Sequence, residues 1–249
     1  MKKIILIISL FLPAVYTIAS DNAEAKRLME HSQKILSLKN VHLEFNMETI
    51  EKRGRSKSKT LSVSFAEFGQ EKKVMIKFES PENVKGTKIL TTDYPDKKGI
   101  IEIYMPSTDK IQKIKANRNN MKIMGNKIPI IQFNKIIEAD FHYSMLDRKI
   151  LDGTECHKIK VEGSENSGDY GIAYISVKDE QLQCIERYDG KNNLISLTNL
   201  SDYMEVDGAN SIFYPKKITS TNIKTGESSN MEVYSVEHLK TVDAKDFVL

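Results

Sequence analysis

The side chains best suited to chemistry are five histidines, two cysteines and one carboxylate cluster. Their spacing supports very little of it. His31, His42, His142, His157 and His238 never form the H-E-x-x-H pattern that sets two imidazoles on one zinc ion. The sequence contains no G-x-S-x-G, Walker A or dinucleotide-binding glycine pattern. Asp202, Glu205 and Asp207 could be imagined as paired acids, but Ser201 and Gly208 beside them mark a strand end and a turn. Cys156 and Cys184 fall on strands expected to flank a third, which sets them ~9.5 Å apart. A disulfide needs Cα atoms within ~7 Å, so two packed, unbridged thiols are favoured over a bridge. The expectation is no catalytic residue, no metal ligand, no disulfide and no cofactor.

What the residues offer instead is hydrocarbon. Leu43, Phe45 and Met47 alternate with His42, Glu44, Asn46 and Glu48, and Val63 and Phe65 alternate with Ser62 and Ser64. Ile76 and Phe78 repeat the pattern, so all seven apolar residues are expected to share one face of a sheet. A second apolar set, Met121, Met124, Ile128, Ile130, Ile131 and Phe133, fits neither the strand nor the helix period. Gly125 and Pro129 interrupt it. It reads either as a connection plugging the core or as a mobile lid, because Met adapts its shape to varied hydrocarbon.

The elements that must position these residues follow from periodicity. Residues 1–20 pair Lys2 and Lys3 with an apolar run from Ile4 to Ala14 and small residues at Thr17-Ile18-Ala19. This reads as a secretory signal peptide cleaved near Ala19 or Ser20, with an uncleaved anchor as the alternative. One domain, 21–249, is expected to follow it. Asp21 to Leu38 carries a helical stripe through Ala25, Leu28, Met29, Ile35 and Leu36, weakened by His31 and Ser32. Beyond Asn40 the period is two, through strands bounded by turn signals such as Asp152-Gly153, Asp189-Gly190 and Thr225-Gly226. The stretch Lys52 to Lys59 holds five positive charges in eight residues around Gly54. It reads as a solvated hairpin tip in preference to a lipid-headgroup patch.

Composition agrees with a binding protein that does not rely on charge. The chain has 249 residues, with 37 Lys plus Arg against 34 Asp plus Glu, a net charge of +3. Loss of Lys2 and Lys3 with the leader leaves 35 basic against 34 acidic side chains. Nucleic acid is therefore not an expected partner. Two cysteines cannot form a disulfide scaffold in a chain this long.

Two segments resemble a known family. Pro81, Lys85, Gly86 and Thr87 resemble a P-x-x-x-K-G-T turn, and Tyr104-Met105-Pro106 and Met124-Gly125 resemble its L-Y-x-P and M-G positions. Gly153-Thr154-Glu155-Cys156, Val177-Lys178-Asp179, Asp207-Gly208-Ala209, Tyr214-Pro215 and Asp246-Phe247 continue the match across the mature chain. With the leader, helix and long sheet, they resemble the LolA-like outer-membrane lipoprotein-sorting proteins, in their uncharacterised bacterial branch. The chain departs from that pattern in lacking the Trp often found before Tyr104. It also lacks the acidic, aromatic-rich segment expected after Gly125.

The resemblance implies an α+β fold: a curved antiparallel half-barrel of about ten or eleven strands. An N-terminal helix and a lid would cover its concave apolar face. It further implies a monomeric periplasmic carrier of lipoprotein acyl chains or other lipid. An inner-membrane transporter would be the donor and an outer-membrane protein the acceptor. A lipid-sensing module of the same fold, controlling a membrane-bound regulator, is the alternative. The residues implied to hold lipid are the seven strand positions and the six of the lid segment.

Overall fold

A computed structural model describes residues 15–34, 38–115, 122–123, 126–127, 141–163 and 168–249. Helix α1 (Val15–Ser32) leads into six strands. These are β1 (Val41–Ile50), β2 (Ser56–Phe68), β3 (Glu71–Ser80), β4 (Lys88–Asp93), β5 (Ile100–Met105) and β6 (Lys110–Lys115). A two-residue pair, β7 (Lys122–Ile123) and β8 (Asn126–Lys127), stands apart. Seven more strands follow: β9 (Phe141–Leu151), β10 (Thr154–Gly163), β11 (Tyr170–Ser176), β12 (Leu182–Tyr188), β13 (Leu194–Glu205), β14 (Phe213–Asn222) and β15 (Ser228–His238).

All strands but β7 and β8 form one antiparallel sheet of 13 strands, in the order β6 to β1, then β15 down to β9. This corrects the expected ten or eleven. The short alternating runs β4, β5 and β6 extend the same sheet and do not leave it. Each wing is a meander of sequence neighbours, and the wings meet where β1 pairs with β15, Leu43 opposite Val236 and Met47 opposite Met231.

One apolar cluster shows that the sheet is strongly curved. It joins Ile101 on β5, Phe45 on β1, Ile159 on β10 and Leu28 on α1. A flat sheet of 13 strands would span about 58 Å, far too wide for its wings to share a core. The sheet is an open, curved half-barrel with α1 against its concave face, where Ala25, Leu28 and Met29 are buried. The helix begins at Val15, ahead of the expected cleavage point, and closes at Ser32, short of Leu38. Its end has a local cause: the Ser32 hydroxyl donates to the Met29 carbonyl at 3.0 Å and competes with the next turn. Arg27 ties the helix to the β11–β12 turn, donating to both oxygens of Glu180 at 2.7 and 3.0 Å.

The convex face carries separate cover. The chain end folds back through a short 3-10 helix (Ala244–Phe247), capped by the Asp243 carboxylate, which accepts from the Lys245 amide at 2.9 Å. Phe247 packs among Ala66, Met75 and Leu90 and meets the Phe68 ring edge-on at 5.4 Å. On the other wing, Cys156 and Cys184 lie in a cluster with Tyr174 and Ile172, with β11 running between the strands that carry them. Both thiols are buried and unbridged.

Candidate functional site

The register brings the seven predicted strand positions onto the concave face. Leu43 lies opposite Val63, Val63 opposite Ile76, Phe45 opposite Leu61, and Leu61 opposite Phe78. Sharing a face does not give them one role. Phe45, Met47, Val63, Ile76 and Phe78 are sealed into the central core, whereas Leu43 and Phe65 also line a cavity of about 110 Å³. Met121, Met124, Ile128, Ile130, Ile131 and Phe133 lie outside the described residues.

The cavity sits where α1 ends and β1 begins, and it spans the seam between the two wings. Its apolar wall combines Val41, Leu43 and Phe65 with Leu182, Leu200 and Ile218 from the opposite wing. Tyr203, Phe213, Tyr214 and Pro215 complete that wall. Burial pushes the Tyr203 and Tyr214 phenols above their ordinary range, so both stay neutral. Tyr203 also donates to the Leu182 carbonyl, which fixes its ring in the wall. These C-terminal residues were readable as strands, but no sequence pattern tied them to the same cavity as Leu43.

The rim is polar. Lys39 pairs with Glu67 at 2.8 Å, and Lys73 reaches over the Phe68 ring at 5.5 Å. Asn40 lines the cavity at the start of β1 with its backbone in the left-handed region (φ 58°). Phe213 stands at the mouth, 45% exposed.

Nothing in this lining resembles a reactive centre. The Ser32 hydroxyl is engaged with its own helix, and no histidine lines the cavity among the described residues. Among the described residues no group of His, Cys, Asp and Glu could hold a metal ion. Burial raises both thiols, Cys184 to about 12, which leaves them protonated.

The basic hairpin tip is solvated at Lys52, Arg53, Arg55 and Lys57, two of which pair with Glu51. Lys59 differs: it turns inward to stand 5.5 Å over the Phe78 ring, and burial lowers its pKa. Met75, with its neighbours Val74 and Ile76 on the concave face, points the other way, under Phe247.

The resembling motifs prove to be turns and packing contacts. Gly86 has φ 78°, and a Cβ there would lie 3.1 Å from Pro106, so two of the matched segments touch. Gly208 has φ 75° in the β13–β14 loop, and a Cβ there would lie 2.6 Å from the His238 carbonyl oxygen. The model of a family described as an uncharacterised protein matches residues 70–249, which include both positions. The chain belongs to that family. No curated protein sequence matches it.

Solved structures share its architecture at low identity. A DUF1329 family protein from Desulfovibrio piger is 14% identical, over 92% of this chain and 97% of its own, with a TM-score of 0.71. A domain from Vibrio parahaemolyticus assigned as an outer membrane lipoprotein-sorting protein is 15% identical, over 91% and 97%, with a TM-score of 0.71. A LolA superfamily protein from Nitrosomonas europaea is 15% identical, over 90% and 97%, with a TM-score of 0.64. The fold is therefore LolA-like, as the motifs implied.

Proposed function

We propose that the protein is a non-catalytic carrier in the periplasm that shields the acyl chains of lipoproteins or other lipid between two membranes. The observation that carries this reading is the apolar cavity set across the seam of an open, curved sheet of the LolA-like fold. Burying one methylene is worth ~0.8 kcal/mol, so a sixteen-carbon chain carries ~12 kcal/mol that water will not release unaided. Such cargo moves only toward a site that binds it better or through a change that weakens the carrier's grip.

The cavity's size sets the second requirement. A cavity of about 150 Å³ holds one benzene, so 110 Å³ takes only a short length of alkyl chain. Loading must widen the space between α1 and the β12–β14 wall. A donor in the inner membrane and an acceptor in the outer membrane are the partners this reading requires, and a monomer suffices. The segment carrying Met121, Met124, Ile128, Ile130, Ile131 and Phe133 is proposed to contribute cover to the loaded state.

Phe213→Asp tests the reading, because Phe213 lines the mouth while remaining 45% exposed, so the fold tolerates a charge there. Mature protein isolated from its native compartment should carry acyl lipid by mass spectrometry, and the variant should lose about nine-tenths of it. Wild-type protein free of acyl lipid, or a variant that retains it all, would sink the proposal.

A further inference from the structure

The near-zero charge of the mature chain conceals an uneven distribution. From Lys110 to Ile137 there are seven Lys or Arg residues and no Asp or Glu. With these seven set aside, the mature chain has 28 basic against 34 acidic side chains. The same run holds eleven Ile, Met and Phe residues. Basic residues in this number, interleaved with apolar ones, are what an anionic lipid surface attracts. The hairpin tip from Lys52 to Lys59 differs in both respects. It contains no apolar residue, and Glu51 pairs with two of its cations.

Strand β6 shows how the start of the run is presented. Lys110, Ile111, Gln112, Lys113 and Ile114 are exposed in succession, on both faces of the sheet. Ile114 lies opposite the buried Ile101, so it carries the apolar concave face out to the margin, where it is 37% exposed. Ile111 lies opposite Tyr104 on the other face and is 48% exposed. Lys113 is held by Glu102 at 2.7 Å and does not count as available charge. Lys110 has no ion-pair partner among the described residues, and Asp109 before it accepts from the Tyr104 hydroxyl at 3.0 Å. Lysine on a margin strand also deters pairing with a second copy. Deterrence alone does not call for two exposed isoleucines beside it or for so long a run without an acid.

We propose that the β6 margin docks on an anionic phospholipid bilayer, with Lys110 at the headgroups and Ile111 and Ile114 in the interface. The basic run that β6 opens supplies the attraction. The remainder of the chain is net acidic and is repelled, so the same field orients the molecule. Docking needs no cargo in the cavity and stands apart from the carrier reading.

Flotation of the mature protein with vesicles tests this. Phosphatidylcholine vesicles with about 30% phosphatidylglycerol should carry the protein up the gradient, and pure phosphatidylcholine should leave it behind. Raising salt from about 50 mM to about 500 mM should weaken the association about tenfold. Lys110→Glu should also weaken it about tenfold, whereas Arg53→Glu should stay within about threefold of wild type. Both side chains are exposed and the charge change is the same, so the fold tolerates each and the comparison isolates position. Equal losses in the two variants overturn the assignment to β6, because net charge alone then sets binding. No flotation with anionic vesicles, equal flotation with both compositions, or binding indifferent to salt overturns docking on anionic lipid. Cargo is read separately, as co-purifying acyl lipid, so either proposal can fail without the other.

Discussion

Gly208→Ala isolates the contact between the β13–β14 loop and β15. Any non-glycine residue at φ 75° meets a backbone penalty of about 1–2 kcal/mol. The new Cβ would also lie 2.6 Å from the His238 carbonyl oxygen, a backbone atom that moves only if the loop moves. The loop is held there by two main-chain hydrogen bonds, Asp207 N–H to Val236 at 3.0 Å and His238 N–H to Asp207 at 2.7 Å. Stretching both costs about 2 kcal/mol beyond the backbone penalty.

Gly54→Ala is the matched control: its φ is also 75°, but nothing lies within 4 Å of the added Cβ. Subtracting one variant from the other cancels the backbone penalty and leaves the clash. For a chain of this size about 2 kcal/mol corresponds to a Tm difference of about 4–8 °C, read by thermal denaturation followed by circular dichroism. If the two variants melt within about 1 °C of each other, the loop is not held as described and the argument fails.

Further outcomes follow from the convex face. Phe247→Ala should cost about 3–5 kcal/mol in denaturant titration, because a buried ring is lost from the cluster of Ala66, Met75 and Leu90. Lipid retention should persist in that variant, since of the buried residues around Phe247 only Ala66 also lines the cavity. Burial raises Cys184 from its ordinary value of 9.0 to about 12 and Tyr188 from 10.0 to about 12. Both are neutral when protonated and more easily ionised in the unfolded chain. Their contribution is therefore complete below pH 9.0 and lost as pH rises toward about 12, so Tm should fall across that window. Native protein at pH 8 should also leave both thiols unreacted with a thiol reagent, and a prompt reaction would refute their burial.

Alternation alone places Leu43, Phe45, Met47, Val63, Phe65, Ile76 and Phe78 on one face, because side-chain direction in a strand has period two. Depth along the strand has no such signature. That is why Leu43 and Phe65 reach the cavity while Phe45 and Ile76 sit in solid core. Alternation also fails where both faces are covered: Val74, Met75 and Ile76 are buried in succession, since the chain end lies over the convex side. The pairing of β1 with β15 joins residues far apart in the chain, so Leu182, Leu200 and Ile218 could not be assigned to the same cavity from local pattern. Periodicity carries the helix to Leu38, but it closes at Ser32, so the left-handed Asn40 belongs to the entry into β1 and not to a helix end.

The sheet order has a mechanical consequence. Among the described residues β6 and β9 are the two edges of the main sheet, and they are also consecutive members of it along the chain. Among the described residues no ladder of hydrogen bonds joins β6 to β9. A closed barrel can dilate only by tearing such a ladder, at roughly 1 kcal/mol for each bond lost. This sheet can flex its wings apart with every described strand pairing intact. Its compliance lies in curvature, which under the proposed carrier role would let the enclosed space track the size of the cargo.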